Sequence, residues 1–328
     1  MTPYAFIMCC DVRYLPEAIA LLNSLDYIGN KQDLHWYGYQ IPIEVLSQLD
    51  ILSYQVYFHL ITEHEVQESH GLSEVVCRKR YYYANEIGKD YESVCVLDAD
   101  MVFVRDPINF FKIAAKTDLV VCAVKEQKES YGDPNHRAKG QWIMPEGFRP
   151  EMDLCNCPLF INTHVWGKAL KKSFEIFMDG FPAENFKGPD MAAMNLCLLE
   201  AGSEGLTIGL PNSQWLATNE QAEKPYMRYV GDGDSIKTES GTPVYSFHGH
   251  IGHKAWRENQ LLNRHNCIQG YLKASGESLE ASDNIAKGSM ELIYERFKKM
   301  LHYKIRLEPF NYRHPEIDYK IQYGNLWD

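Results

Sequence analysis

The stretch VCVLDADMVFVRDP (residues 94–107) places two aspartates, Asp98 and Asp100, directly behind a run of apolar residues. Residues 94–97 predict a short, fully buried strand, and the apolar pattern resumes at 101–104. A strand that leads into paired carboxylates carries them to its carboxyl end, where open α/β sheets bind their ligands. Two carboxylates this close repel each other unless a cation lies between them. Because Mg²⁺ and Mn²⁺ prefer such oxygen ligands and can bridge to phosphate, the segment predicts a metal–diphosphate site.

The aspartate pair by itself leaves three interpretations open. It can hold a metal–nucleotide complex, it can mark a structural turn, or it can belong to a haloacid-dehalogenase-type phosphatase, whose first aspartate is a nucleophile. Such a phosphatase normally carries the pair near the start of its chain, whereas here residues 1–97 come first and show strand and helix patterns. The position therefore favours metal–nucleotide binding. A nucleotidyltransferase on a similar sheet, or a sugar- or nucleotide-binding protein that has lost its activity, stays open as an alternative.

Strand and helix patterns alternate on both sides of this segment, which predicts a mostly parallel sheet with right-handed crossovers. The predicted strands are residues 4–10, 35–39, 56–60, 94–97, 119–124 and 159–162. The predicted helices are residues 15–25, 43–52, 78–87, 168–178 and 190–201.

The chain changes character twice. Residues 125–150 are polar and rich in glycine and proline, which predicts a long surface loop. After residue 256 the pattern shifts to helices and aromatic-rich extended segments. We therefore expect one α/β domain over residues 1–256 and a C-terminal appendage over residues 257–328 that packs on it.

The composition is that of a globular protein. The chain has 328 residues, of which 45% are hydrophobic and 12% aromatic, and a net charge of −11 that argues against broad coating of nucleic acid. The start, MTPYAFIMCCDVRYL, lacks the pattern of a signal peptide, and no stretch approaches the ~18 apolar residues of a membrane span. Nine cysteines, most of them in apolar contexts, predict reduced thiols and a cytoplasmic location.

A second segment with candidate binding residues is YSFHGHIGHKAW (residues 245–256). Three histidines lie close together there in a glycine-containing loop after a strand-like run. A histidine at a strand end can add a nitrogen ligand to a metal already held by carboxylates. Lys254 can reach a phosphate as a point charge. A solvated histidine-rich loop is the plain alternative, and no further ligand spacing supports zinc. Whether His248 or His250 would bind the metal stays open.

Together these segments resemble glycosyltransferase family 8, which contains the glycogenin-like and lipopolysaccharide-galactosyltransferase-like enzymes. VLDADMVFVRDP is similar to the metal-binding DxD segment of that family. The run from His248 to Lys254 is similar to its HxxGxxKPW segment, with Ala255 in place of the proline and Gly252 one place late. The matches follow the order of the family over residues 4–256.

Four other segments match in the same order. Residues 10–14 and the helix after them resemble the opening nucleotide-binding turn of the family, and Arg80 lies near the position of its donor-facing basic residue. Residues 156–162 are similar to its Asn-Ser-Gly-Val-Phe segment. Asp190 and Asn195 match the outer residues of its DQDxLN helix start.

The chain also departs from the family pattern near the expected sugar position. Met191 and Ala192 replace the glutamine and the second aspartate of DQDxLN, and Pro158 replaces a glycine beside the donor. These positions are expected to face the sugar. The resemblance therefore does not name the sugar or any nucleophile.

The resemblance implies a GT-A type fold, a Rossmann-like α/β domain with a mostly parallel mixed sheet, and a metal-dependent transfer of sugar from a nucleotide sugar, expected to be a UDP-sugar. Asp98, Asp100 and His248 are then expected to hold Mn²⁺ or Mg²⁺ against the diphosphate. The metal would neutralise the charge of the departing nucleoside diphosphate. Lys254 and Arg80 would add positive charge near that leaving group.

The remaining expected roles concern the nucleoside, the sugar and the acceptor. Asp11 and Tyr14 would contact the nucleoside, although an ordinary core tyrosine fits the position of Tyr14 equally well. Asp190 and Asn156 are the expected catalytic residues, with Asp190 binding donor hydroxyls or positioning the acceptor. A simple N-cap is the alternative for Asp190. The family retains the anomeric configuration, so retention is expected.

The C-terminal stretch ERFKKMLHYKIRLEPFNYRH (residues 295–314) interleaves basic and aromatic residues within an acidic protein. It could contact an anionic membrane surface at the cytoplasmic face, or a polyanionic acceptor. A packed amphipathic helix with an edge strand is the plain alternative. The acceptor, whether glycan, lipid, protein or modified nucleic acid, is left open, as is the oligomeric state.

Overall fold

The computed structural model describes most of the first 179 residues and short pieces beyond them. The described residues are 2–68, 79–117, 119–124, 154–179, 193–194, 197–198, 201, 229–230, 237–238, 243–248, 299–300 and 303–306. The strands are β1 (Tyr4–Asp11), β2 (Asp33–Tyr39), β3 (Val56–Leu60), β4 (Ser93–Leu97), β5 (Met101–Phe103), β6 (Val121–Val124), β7 (Leu154–Ile161), β8 (Tyr229–Val230), β9 (Lys237–Thr238) and β10 (Ser246–His248). The helices are α1 (Leu15–Tyr27), α2 (Ile43–Leu46), α3 (Glu63–Glu68), α4 (Arg80–Ile87), α5 (Ile108–Lys116) and α6 (Thr163–Asp179).

Six strands form one sheet in the order β3-β2-β1-β4-β7-β6. The first four run parallel, and β7 is antiparallel to both β4 and β6. The expected mostly parallel sheet is confirmed. Because parallel strands end on the same side, β1, β2, β3 and β4 all finish along one edge of the sheet. We call it the carboxyl edge.

Both faces of the sheet are covered. Every residue of β1 is buried, as parallel strands between two helical layers require. On one face Phe6 packs against Phe111 of α5 with ring centroids 5.0 Å apart, in a cluster that includes the buried side of α1. On the other face Ile7 belongs to a cluster with Tyr81 of α4 and Trp166 of α6.

Helix α6 begins at Thr163, earlier than the predicted residue 168. The side chain of Asn162 explains the start, since its Oδ1 accepts a hydrogen bond of 3.0 Å from the backbone N–H of His164 and so caps the helix. The same end of α6 lies close to the turn after α4. A Cβ added to Gly88 would lie 2.3 Å from Oγ1 of Thr163, so glycine permits this close approach.

The predicted helix 43–52 is interrupted in the structure. α2 ends at Leu46, and a separate 3₁₀ turn covers Leu49–Ile51. Two side chains, Oγ of Ser47 at 3.0 Å and Nε2 of Gln48 at 2.8 Å, donate to the carbonyl of Glu44. Polar side chains that bond to nearby backbone in this way compete with a continued helix.

Strand β7 is longer than the predicted strand 159–162, and its Cys157–Pro158 peptide bond is cis. The predicted loop at 125–150 lies outside the described residues. Of the predicted helix 190–201, the described positions 193–194, 197–198 and 201 are helical. None of the helices in the described part of the chain is both long and apolar enough to cross a membrane.

The described part of the C-terminal stretch packs on α1. Asn23, fully buried in α1, donates through Nδ2 to the carbonyls of Met300 (2.6 Å) and Ile305 (3.0 Å). Its Oδ1 accepts from the backbone N–H groups of Lys304 (3.3 Å) and Ile305 (2.9 Å). Nζ of Lys304 lies 2.7 Å from Oδ2 of the buried Asp26. These described residues of the basic aromatic stretch are therefore part of the folded body.

Candidate active site at the carboxyl edge

The two aspartates of the opening segment lie in the turn between β4 and β5, at the carboxyl edge. Asp100 is 5% exposed and the side chain of Asp98 is 23% exposed. β5 pairs antiparallel with β10, and the register sets His248 opposite Met101. The backbone of His248 is therefore next to the residue that follows Asp100. The side chain of His248 lies outside the described residues.

Arg80 contacts the first aspartate of this turn. It is the first residue of α4 and is 2% exposed, and its Nη1 lies 2.9 Å from Oδ1 of Asp98. The guanidinium also lies over the ring of Tyr81, with 5.1 Å between Cζ and the ring centroid. A buried guanidinium that hydrogen-bonds a carboxylate fixes the orientation of that carboxylate.

The start of α4 is itself anchored by α3. Thr62 and Glu65 form a reciprocal capping box, in which Oε2 of Glu65 accepts from the Thr62 N–H at 2.9 Å and Oγ1 of Thr62 accepts from the Glu65 N–H at 3.3 Å. Oε1 of Glu65 accepts from the Tyr83 hydroxyl at 3.0 Å and lies 3.7 Å from Nζ of Lys79. Burial acts to raise the pKa of Glu65, but these hydrogen bonds and the charge of Lys79 lower it overall. Glu65 is therefore held ionised beside the helix that carries Arg80.

The turn after β1 holds a second aspartate–arginine pair. Asp11 is 2% exposed, and its Oδ1 accepts from the backbone N–H of Arg13 at 2.9 Å. Its Oδ2 accepts from Nε of Arg13, also at 2.9 Å, and from Nη2. The side chain of Arg13 is 26% exposed. The turn thus buries the carboxylate expected to contact the nucleoside and exposes an arginine that the sequence patterns did not single out.

Of the other expected site residues, Tyr14 and the backbone of Asn156 are described, and the rest lie outside the described residues. Tyr14 is partly buried against the core cluster of α1. Asn156 lies in β7, whose antiparallel register with β4, Leu159 opposite Val96, directs the residues before Leu159 towards the carboxyl edge. The side chain of Asn156 is outside the described residues, as are the whole of Asp190, His250, His253 and Lys254.

The described side chains of this turn are ligands that suit a hard divalent cation. The turn contributes two carboxylates one residue apart, the oxygen ligands that Mg²⁺ and Mn²⁺ prefer. Within the described residues, no three histidine, cysteine, aspartate or glutamate side chains come close enough to hold a metal. The strand register supplies His248 as the third candidate, one position from Asp100.

No protein-family model matches the chain, and no curated protein sequence does. Solved structures do. The galactosyltransferase LgtC, crystallised with donor and acceptor sugar analogues, matches with a TM-score of 0.54 and 15% identity over 90% of this chain and 100% of its own. An active-site mutant of LgtC matches with a TM-score of 0.51 and 14% identity over 81% of this chain and 95% of its own. The fold is of the GT-A type.

This similarity, at such low identity, is one of fold. It agrees with the GT-A fold and the mostly parallel mixed sheet that the sequence resemblance implied. The roles of individual residues and the chemistry of the site are argued from the geometry of the carboxyl edge.

Proposed function

We propose that this protein is a metal-dependent glycosyltransferase that transfers a sugar from a UDP-sugar, and that it is a distant member of glycosyltransferase family 8. One observation carries the proposal. The pairing of β5 with β10 brings the backbone of His248 next to the turn that holds Asp98 and Asp100, at the carboxyl edge of a GT-A type sheet. This backbone register supports a site in which the two carboxylates and the imidazole of His248 would bind one divalent metal.

Asp98, Asp100 and His248 would hold Mn²⁺ or Mg²⁺. When bound, the metal supplies positive charge against the diphosphate of the donor. Arg80 keeps Oδ1 of Asp98 at 2.9 Å and so orients that carboxylate. Because Arg80 is buried against Tyr81, we assign it to positioning Asp98 as well as to adding positive charge near the leaving group.

The reaction exchanges one glycosidic bond for another. The bond between the anomeric carbon and the β-phosphate oxygen breaks, and its electron pair stays with the diphosphate. A bond to the acceptor hydroxyl oxygen forms on the same face of the sugar, and the hydroxyl proton passes to the departing phosphate oxygen. We assign Lys254 to the diphosphate, Tyr14 to the nucleoside end, and Asp190 and Asn156 to the sugar and acceptor.

A panel of nucleotide sugars tests the donor assignment. A ligand that binds only the folded protein stabilises it by RT ln(1 + [L]/Kd), about 2.7 kcal/mol at a hundredfold excess over Kd. We expect UDP-sugars with Mn²⁺ to raise the melting temperature, and UDP-sugars with EDTA, or GDP- and ADP-sugars with Mn²⁺, to leave it unchanged.

Two variants locate the effect. Asp100→Asn should abolish the Mn²⁺-dependent shift, whereas Asp50→Asn, which alters an exposed aspartate in the 3₁₀ turn Leu49–Ile51, should keep it. A shift of equal size in Asp100→Asn would contradict the metal site. A UDP-sugar that binds with Mn²⁺ but is never hydrolysed or transferred would identify a binding protein that has lost its activity.

A further inference from the structure

Arg13 is the most accessible charged group of the turn after β1. The neighbouring Asp11 is almost completely buried, and Val12 is 1% exposed, whereas about a quarter of the Arg13 side chain is exposed. The guanidinium is held on one side by Asp11 through Nε and Nη2. The carboxylate of the pair is thus buried, whereas part of the Arg13 side chain is exposed.

This pair lies beside the turn of Asp98 and Asp100. β1 and β4 are adjacent parallel strands, with Met8 opposite Leu97, so both turns leave the sheet at the carboxyl edge. Adjacent strands are about 4.8 Å apart, which is short compared with the length of a nucleoside diphosphate. One bound donor can therefore contact both turns.

The charges at the carboxyl edge favour a cation besides Arg80 for binding the diphosphate. Asp98 and Asp100 carry carboxylates, and Arg80, whose Nη1 lies 2.9 Å from Asp98, is buried. The two carboxylates offset the charge of one divalent cation, so the diphosphate of the donor keeps its negative charge and a further cation beside it strengthens binding. A guanidinium already fixed in place loses little side-chain freedom when it binds phosphate.

We propose that Arg13 contacts the diphosphate of the donor and that Asp11 is a positioning residue which acts through Arg13. This inference rests on the proposed function. It revises the role expected for Asp11, because both of its carboxylate oxygens accept hydrogen bonds from Arg13.

Calorimetric titration with UDP, UMP and uridine, each with Mn²⁺, tests the assignment on the full chain. Arg13→Met should weaken UDP binding about tenfold, the loss expected for one charge-assisted hydrogen bond, and leave uridine binding unchanged. Arg13→Lys should recover part of the loss. The control is Lys89→Met, which removes the same charge from the 3₁₀ turn Gly88–Asp90, before the start of β4 and so at the opposite edge of the sheet.

The positioning role of Asp11 has its own readout. Asp11→Asn should weaken UDP binding by less than Arg13→Met, and the double variant should bind UDP no more weakly than Arg13→Met alone, because both changes act through one guanidinium. Additive losses would overturn the role of Asp11.

Two outcomes overturn the role of Arg13 in a chain that binds UDP. One is UDP binding by Arg13→Met, or by Arg13→Gln if the methionine variant does not fold, that matches Lys89→Met. Another is a loss for uridine as large as that for UDP, since it would assign Arg13 to the base. If the wild-type chain binds no UDP with any metal, the proposed function fails together with this inference. Unchanged UDP binding in Arg13→Met alongside its loss in Asp100→Asn would overturn the inference alone.

Discussion

At the scale of single residues, the ion pair between Arg80 and Asp98 links stability to the candidate metal site. Arg80→Met would leave Asp98, whose side chain is 23% exposed, without its guanidinium partner beside the negative Asp100. We expect the free energy of unfolding to fall by about 1–2 kcal/mol, less than for a fully buried pair. Mn²⁺ should restore more stability in this variant than in the wild type, because the cation gives Asp98 a new partner.

Urea denaturation with and without Mn²⁺ measures both effects. Lys89→Met serves as the control, because Lys89 makes only an exposed contact with Glu86 in the described residues. Equal stability of Arg80→Met and the wild type, or an equal gain from Mn²⁺ in both, would show that the pair does not position Asp98.

A buried histidine predicts a second residue-scale effect, on pH. His35 in β2 is 7% exposed; its Nδ1 lies 2.9 Å from Nε2 of His59 and its Nε2 lies 2.9 Å from the hydroxyl of Tyr91. Burial, together with the repulsion of a charged His59, lowers the pKa of His35 to about 4. The nearby Asp33 and Asp90 act in the opposite direction but do not prevail.

The sign of the pH effect follows from this shift. The unfolded chain takes up a proton at His35 near pH 6.5, whereas the folded protein does so only near pH 4. The contribution of His35 to stability is therefore full above about pH 6.5 and is lost as the pH falls towards 4. The difference in unfolding free energy between pH 7 and pH 5 should be smaller in His35→Gln than in the wild type. His64→Gln, at an exposed histidine, should leave that difference unchanged, and the same pH dependence in all three proteins would refute the assignment.

At the scale of secondary-structure elements, α1 joins the C-terminal segment to the candidate site. Asn23 binds the backbone of Met300, Lys304 and Ile305 through four hydrogen bonds. The next residue, Ser24, accepts a hydrogen bond of 3.0 Å from the backbone N–H of Phe103 in β5, the strand that follows the aspartate turn. Helix α1 therefore contacts both the C-terminal segment and the strand β5 that follows the aspartate turn.

Asn23→Ala should release the C-terminal segment. It removes all four hydrogen bonds and leaves buried backbone groups around Ile305 without partners, so we expect a loss of about 2–4 kcal/mol in the free energy of unfolding. Hydrogen exchange of residues 300–305 should accelerate. Gln48→Ala is the matched control, since Gln48 also binds backbone, that of Arg306, but at an exposed position. Equal exchange in the two variants would contradict a central role for Asn23.

At the scale of the whole molecule, sequence patterns predicted the features of the fold that follow from local hydrophobic periodicity. Buried β-branched runs and the alternation of strands and helices identified the parallel part of the sheet and the aspartate turn after β4. The observed helix ends differ from the predicted ones where side chains of Asn162, Ser47 and Gln48 hydrogen-bond to the backbone. Hydrophobic spacing does not reveal such hydrogen bonds, so the sequence patterns missed these ends. The pairing of β10 with β5 is a long-range contact that supports the grouping of His248 with the DxD pair.

At the candidate site too, the sequence pointed to a residue but did not show its contacts. The resemblance to the family directed attention to Asp11, but the sequence did not show that its carboxylate accepts hydrogen bonds from Arg13 two residues later. That contact depends on the backbone conformation of one turn. The cap geometry of Asp11, an extended residue followed by a 3₁₀ turn, could have been suspected from Asp-x-Arg after a strand, because aspartate favours N-cap positions.

The central claim is that Asp98 and Asp100 bind a metal together with a uridine nucleotide. Titration of Mn²⁺ into the protein, followed by the electron paramagnetic resonance signal of free Mn²⁺, tests it directly. In the presence of UDP, the wild type should bind one Mn²⁺ per chain, and without UDP it should bind it more weakly. Asp98→Asn combined with Asp100→Asn should leave the signal of free Mn²⁺ unchanged. Equal binding of Mn²⁺ by the double variant and the wild type would contradict the claim.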